Sequence, residues 1–199
     1  MAEWPISDQL DLALRLFEVP ITEDKLAGVL LLQNHLRSRF DWRKLLPRYA
    51  RLYEKGWIYS WNTSDWFCVR VLGPTLKEAG LPFARPLARW RTAPDLWQAR
   101  SAVVPFIAGA GDLAYRPLIR TVCATLIRRP ERFAKTGVGW LLRDVSRHDT
   151  AFVQAFVASH AASFSLESTR NALKYFPPRT AAGLLAAVRA NPVRPATAG

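Results

Sequence analysis

Apolar residues along this 199-residue chain recur at intervals of three and four, with no sustained alternation of the kind a strand needs. Leu10, Leu12, Leu14, Leu16 and Phe17 predict a helix opening after Ser7. The apolar positions from Leu26 to Leu36 predict another after Thr22, with Glu23 and Asp24 in its first turn. The same pattern predicts helices near 42–55, 63–79, 83–91, 94–109, 115–128, 131–147, 149–161, 166–176 and 179–190. Short breaks separate most of them, because Gly80-Leu81-Pro82, Gly109 to Asp112, Pro130, His148-Asp149 and Pro177-Pro178 carry residues that end or cap helices. Hairpin signals such as Asn-Gly or Asp-Gly are absent. The prediction is an all-α chain of antiparallel helix pairs, one domain over 1–190. A tail over 191–199, "NPVRPATAG", has too little apolar content to dock and is expected to be flexible.

Spacing favours a stack of pairs over a compact bundle. Trp61 to Arg100 spans 39 residues and Arg100 to Trp140 spans 40, and the segment around each reads as a helix opening toward an apolar face. A period of about 40 lies in the range of HEAT and armadillo repeats, where each pair buries its apolar face against its neighbours. The expected fold class is therefore an all-α HEAT-like repeat solenoid. Residues one repeat apart share a face in such a stack, so Trp61, Asp65, Arg100 and Trp140 are expected on one continuous, concave surface.

Charge narrows the partner. The formal net charge is +12. Residues 1–24 hold one base, Arg15, against six acids, so the body of the fold carries +17 and the positive field is not that of a detachable tail. A polyanion such as nucleic acid is the partner this favours. A generally basic, solvated surface is the plain alternative. Cys68 and Cys123 stand in apolar surroundings and fit neither a metal spacing nor a disulfide framework, which points to a reducing, cytoplasmic setting. The apolar run at 29–32 is far short of the roughly 20 residues that span a bilayer, so no membrane partner is expected.

His35, His148 and His160 stand singly, no phosphate-binding glycine motif or nucleophile elbow is present, and neither a metal nor a cofactor is expected. The reagents that remain are a carboxylate, indoles and arginines. Trp61 and Asp65, at i and i+4, share a helix face if the helix includes both, with Ser60, Asn62 or Thr63 as its cap. The competing reading makes Trp61 a core residue and Asp65 a first-turn acid opposing the helix dipole. Arg100 lies on a mostly apolar helix and needs a partner, either a phosphate or a carboxylate such as Asp144 or Asp95. Paired catalytic carboxylates are not evident, which argues against ordinary glycoside hydrolysis. One carboxylate suffices where the leaving group is already activated, as in a purine made cationic by alkylation at N3 or N7. A buried carboxylate and indole faces can then stabilise the positive charge that develops on the sugar.

The segments "WNTSD", "LWQARSAVV", "KTGVGWLLRDVSR" and "STRNALKYF", in order between about residues 14 and 176, resemble the AlkD-like DNA alkylation repair proteins. That resemblance implies a HEAT-like solenoid that binds double-stranded DNA containing alkylated bases on a basic concave face. It also implies a glycosylase that excises cationic N3- and N7-alkylpurines without drawing the base into a pocket. Carried over by position, Asp65 is the catalytic carboxylate, Trp61 and Trp140 are the lesion-facing indoles, and Arg100 holds the DNA backbone. Arg143, Arg147, Arg170 and Lys174 are expected as further phosphate contacts, and a monomer is expected. Two departures from the family are expected on that resemblance: a start where the family already has one or more helices, and an extra tryptophan at 66. Two other readings share the fold: a non-catalytic protein that recognises bent or branched DNA, and a protein-binding scaffold.

Overall fold

The computed structural model describes residues 4–191, and among them there is no strand. Five helix pairs follow one another. Their first members are α1 (Ile6–Arg15), α3 (Trp42–Glu54), α6 (Leu81–Ala88), α8 (Arg116–Leu126) and α10 (Thr150–Ser159). Their second members are α2 (Thr22–Leu31), α4 (Trp61–Phe67), α7 (Leu96–Arg100), α9 (Arg132–Val145) and α11 (Leu166–Ala172). A short α5 (Gly73–Ala79) prolongs the second pair, and α12 (Pro178–Ala190) closes the series. The expected tail lies, beyond residue 191, outside the described residues.

Second helices touch in the order α2, α4, α7, α9, α11, while α3, α6 and α8 touch in a separate row. This two-row packing is an all-α helical repeat. The second helices begin at residues 22, 61, 96, 132 and 166, at intervals of 39, 35, 36 and 34, somewhat shorter than the period read from the tryptophans and arginine. One hydrophobic cluster runs between the rows from Leu10 to Val188.

Side chains cap three of the second helices, α4, α7 and α11, whereas α2 and α9 start without a side-chain cap. The Ser60 hydroxyl accepts from the Thr63 amide at 3.4 Å, Asp95 accepts from Gln98 at 2.7 Å, and Ser165 with Ser168 forms a reciprocal capping box. Two buried lysines close the other ends. Lys25 donates to the Phe17 carbonyl and Lys135 to the Ile127 carbonyl, so each second helix caps the first helix of its own pair eight residues upstream. Burial pushes both ammonium groups below the ordinary lysine range. The stretches "FEVPITEDK" and "IRRPERFAK" align on this device, a repeat in identity that spacing alone did not reveal.

Helix boundaries differ from the expectation at several places, among them α2, which starts at Thr22 rather than after it, and three of the differences have a proline as their cause. First, α1 starts at Ile6, directly after Pro5, because Pro5 supplies the turn. Second, the helix expected over 94–109 breaks after Arg100 and resumes as a 3-10 turn at Val104–Gly109. Pro105 has no N–H and its ring would collide with the carbonyl four residues back. Third, the run around residue 70 is continuous from Trp61 to Ala79, but it widens to a π-turn at Cys68–Leu72, where the Gly73 amide donates to the Cys68 carbonyl. Pro74 cannot donate to the Arg70 carbonyl, and the wider turn accommodates that loss. A second π-turn, Leu32–Leu36, extends α2 beside it.

Candidate functional site

Asp65, Arg100, Thr136 and Arg170 each occupy the fifth position of their second helix, so the stack lines them up. The first two meet directly. Arg100 Nε donates to Asp65 Oδ1 at 2.7 Å and Nη2 to Oδ2 at 2.9 Å, a bidentate fork with both residues at most 9% exposed. The remaining nitrogen, Nη1, donates to the Phe133 carbonyl and, at 3.3 Å, to Thr136 Oγ1. A buried ion pair repays its desolvation only when its other polar atoms are satisfied, and these partners satisfy Arg100.

Arg100 therefore departs from the expected phosphate contact. The residue is only 4% exposed and each of its guanidinium nitrogens already has a protein acceptor, so no fork is presented to the surface. Neither carboxylate weighed as its partner is used. Asp95 caps α7 and Asp144 pairs with Arg143.

Asp65 lies at the floor of a cleft of about 410 Å³, walled by Trp61, Trp66, Val69, Arg70 and Trp140. Trp61 is 55% exposed, which excludes the reading of it as a core residue. Trp140 is half-buried, at the ninth position of α9. An ionised carboxylate offers about four lone-pair sites, and the Arg100 fork uses one on each oxygen, leaving others for a ligand. The cleft thus presents an oriented carboxylate among three indoles.

Two features hold that carboxylate in place. Gly137 leaves room for the arginine, since a Cβ there would come within 3.0 Å of Arg100 Nη1. Its neighbour Gly139 lets α9 approach α11, for a Cβ at that position would meet the Ser168 carbonyl oxygen at 2.6 Å. The "GVG" run is therefore a packing and positioning device. Beneath the pair, Ser101 accepts from Cys68 at 3.1 Å, shares a 2.7 Å hydrogen bond with Tyr53 and donates to the Trp97 carbonyl at 2.8 Å. Burial pushes the Tyr53 phenol up and the Cys68 thiol up to about 12, so both are neutral supports.

The other expected basic residues lie toward the C-terminal end of the same row. Arg143 is half-buried, pairs with Asp144 at 2.8 Å and has its guanidinium 6.0 Å from the Trp140 ring centre. Arg147 is exposed, donates to the Tyr175 hydroxyl and lies 4.2 Å over its ring. That donation, with Lys174 and Arg143 nearby, lowers the Tyr175 phenol from its ordinary value. Lys174 and Arg170 are exposed and make no ion pair among the described residues. Trp66 and Arg70 were singled out for no role by their spacing, although the i, i+4 interval that marked Trp61 and Asp65 also joins them.

Among the described residues no three His, Cys, Asp or Glu side chains are grouped to hold a metal ion, and no helix is long and apolar enough to cross a membrane. The fold and cleft define a helical-repeat protein whose most distinctive site is a buried, arginine-held carboxylate beneath one exposed and two half-buried indoles. A search of curated proteins finds no match to the chain. A family profile described as DNA alkylation repair enzyme matches residues 2–176, and the chain belongs to that family.

Proposed function

We propose that this protein is a DNA glycosylase that binds duplex DNA along the second-helix row and hydrolyses the N-glycosidic bond of cationic N3- or N7-alkylpurines. Family membership gives a role in DNA alkylation repair. The observation that carries the finer reading is the Asp65 carboxylate, fixed by the Arg100 fork on the floor of a cleft walled by tryptophans.

In this reaction the electron pair of the C1′–N bond leaves with the base and discharges its positive charge. The deoxyribose takes up that charge, water adds its oxygen to C1′, and a proton is lost to Asp65 or to solvent. Asp65 stabilises the oxocarbenium-like sugar and orients the water, and the faces of Trp61 and Trp140 contribute cation–π attraction. Arg100 acts through Asp65 and is a positioning residue. Arg143, Arg147, Arg170 and Lys174 contact phosphates, and no cofactor takes part.

The test is release of 7-methylguanine and 3-methyladenine from N-methylated duplex DNA, measured for the wild type and Asp65→Asn. Release that disappears in the variant, with duplex binding retained, supports the proposal. No release by a wild type that still binds duplex in a salt-dependent way replaces it with non-catalytic DNA recognition.

A further inference from the structure

Arg70 combines three properties that no other arginine at the cleft shares. It lines the cleft alongside Asp65. It is half-buried and held in place, its guanidinium 4.1 Å over the Trp66 ring and its Nη1 donating to Gln33 Oε1 at 2.9 Å. Yet it has no acidic partner among the described residues, because Gln33 is neutral and no ion pair includes Arg70. Arg100 has the reverse set, being buried, paired and closed to ligand.

The local backbone explains how Arg70 comes to be there. It sits in the middle of the Cys68–Leu72 π-turn, and Gln33 sits in the neighbouring Leu32–Leu36 π-turn. An extra residue in a helical turn rotates the register that follows, and such turns concentrate at functional sites. An arginine stacked on an indole is pre-organised, with its remaining N–H donors directed away from the ring face, and its planar fork matches the oxygens of a phosphodiester.

We propose that Arg70, supported by Trp66 and Gln33, is the phosphodiester-binding residue at the rim of the cleft, gripping the backbone beside the lesion in the role the sequence pointed to at Arg100. This rests on the reading that DNA is the ligand. The charge logic is consistent: the Asp65 charge is balanced by Arg100 and left to face a cationic sugar, whereas the Arg70 charge is unbalanced and faces an anion.

The test is binding of an undamaged duplex oligonucleotide, followed by fluorescence anisotropy across a salt series, for wild type, Arg70→Gln, Arg70→Lys, Trp66→Leu and, on the first-helix row, Arg120→Gln. Loss of one phosphate contact reduces the magnitude of the negative slope of log K against log salt by about 0.9. Arg70→Gln is expected to show that drop with about tenfold weaker binding at low salt. Arg70→Lys should keep the wild-type slope but bind more weakly, because the charge remains and the fork is lost. Trp66→Leu should weaken binding with a smaller change in slope than Arg70→Gln, and Arg120→Gln should leave the slope unchanged. Melting curves identify any variant that fails to fold, and Arg70→Lys then carries the comparison. Wild-type slope and affinity in the folded Arg70 variants, or an equal slope change in Arg120→Gln, would overturn the proposal. Because the probe carries no lesion, its binding is read independently of catalysis: a wild type that binds it but releases no base from N-methylated duplex sinks the glycosylase reading and leaves the Arg70 result standing. A wild type that does not bind duplex sinks both.

Discussion

Asp65 and Arg100 act as a unit, and their energetics differ from those of a surface pair. Removing one partner leaves the other buried and uncompensated, which costs about 3–5 kcal/mol, whereas removing both costs less than the sum. In urea denaturation Asp65→Asn and Arg100→Gln should each destabilise strongly, and the double variant should be more stable than additivity allows; strict additivity would mean that the fork does not persist in solution. Gly137 belongs to the same unit. Its replacement by alanine gains up to about 1 kcal/mol of helix propensity, yet the new Cβ presses on Arg100 at 3.0 Å. Gly137→Ala is therefore expected to reduce base release much more than it changes the melting temperature. Spacing put Trp61, Asp65, Arg100 and Trp140 on one face, and the structure brings Trp61, Asp65 and Trp140 to one cleft with Arg100 against Asp65, but the roles expected of them came from the family resemblance and not from spacing. What spacing could not supply was depth: it lined up Arg100 with Asp65 in neighbouring repeats but did not say that one would cover the other.

At the scale of helices, what separates one repeat from the next is the closeness of their approach. Gly139 sits where α9 meets the backbone of α11, so a Cβ 2.6 Å from the Ser168 oxygen must part the two helices. Gly183 in α12 has no atom within 4 Å of the same position. Glycine-to-alanine substitution should thus have opposite signs: Gly139→Ala destabilises by about 1–3 kcal/mol through overpacking, and Gly183→Ala stabilises by about 0.5–1 kcal/mol through propensity. Equal effects at the two sites would refute the packing account. The junction between α7 and α9 depends instead on charge. Arg129 donates to the Ala93 and Pro94 carbonyls and to Glu131, whose carboxyl it holds below its ordinary value of 4.5. A depressed carboxylate contributes stability that is full above that ordinary value and is lost as pH falls through the folded value. The urea midpoint should accordingly decline less steeply below pH 4.5 in Glu131→Gln than in the wild type. Helix existence and some caps were readable from apolar spacing and from Ser60, Asp112 and Asp149, because both are local, whereas the starts expected at Ser7 and Thr22 fall at Pro5 and Ile21. The π-turns and the break at Ser101–Val103 were not: Pro74 and Pro105 mark a disturbance without saying whether a wider turn or a break absorbs it, and the Leu32–Leu36 π-turn carries no proline at all.

Across the whole molecule, the question is whether a stack of repeats behaves as one body. In a repeat protein each unit contacts mainly its neighbours, so ends can open while the middle stays closed. Here one hydrophobic cluster spans Leu10 to Val188, and the acidic N-terminal helix is tied to the basic α3 by Asp11 and Arg48. The sequence made the division of charge plain but not this use of it. Two natural reporters lie in different pairs, since Cys68 follows α4 and Cys123 is in α8, and both are fully buried. The thiolate is the reactive form, and burial pushes Cys68 up to about 12 and Cys123 up as well. At pH near 8 the native protein should therefore resist a thiol reagent at both positions, and denaturation should expose both. If the continuous core makes the stack cooperative, labelling of the two cysteines across a urea series, resolved by peptide mass, will share one midpoint. Separate midpoints would mean that the repeats bearing Asp65 and those bearing Trp140 open independently, so that the cleft is assembled only when both are closed.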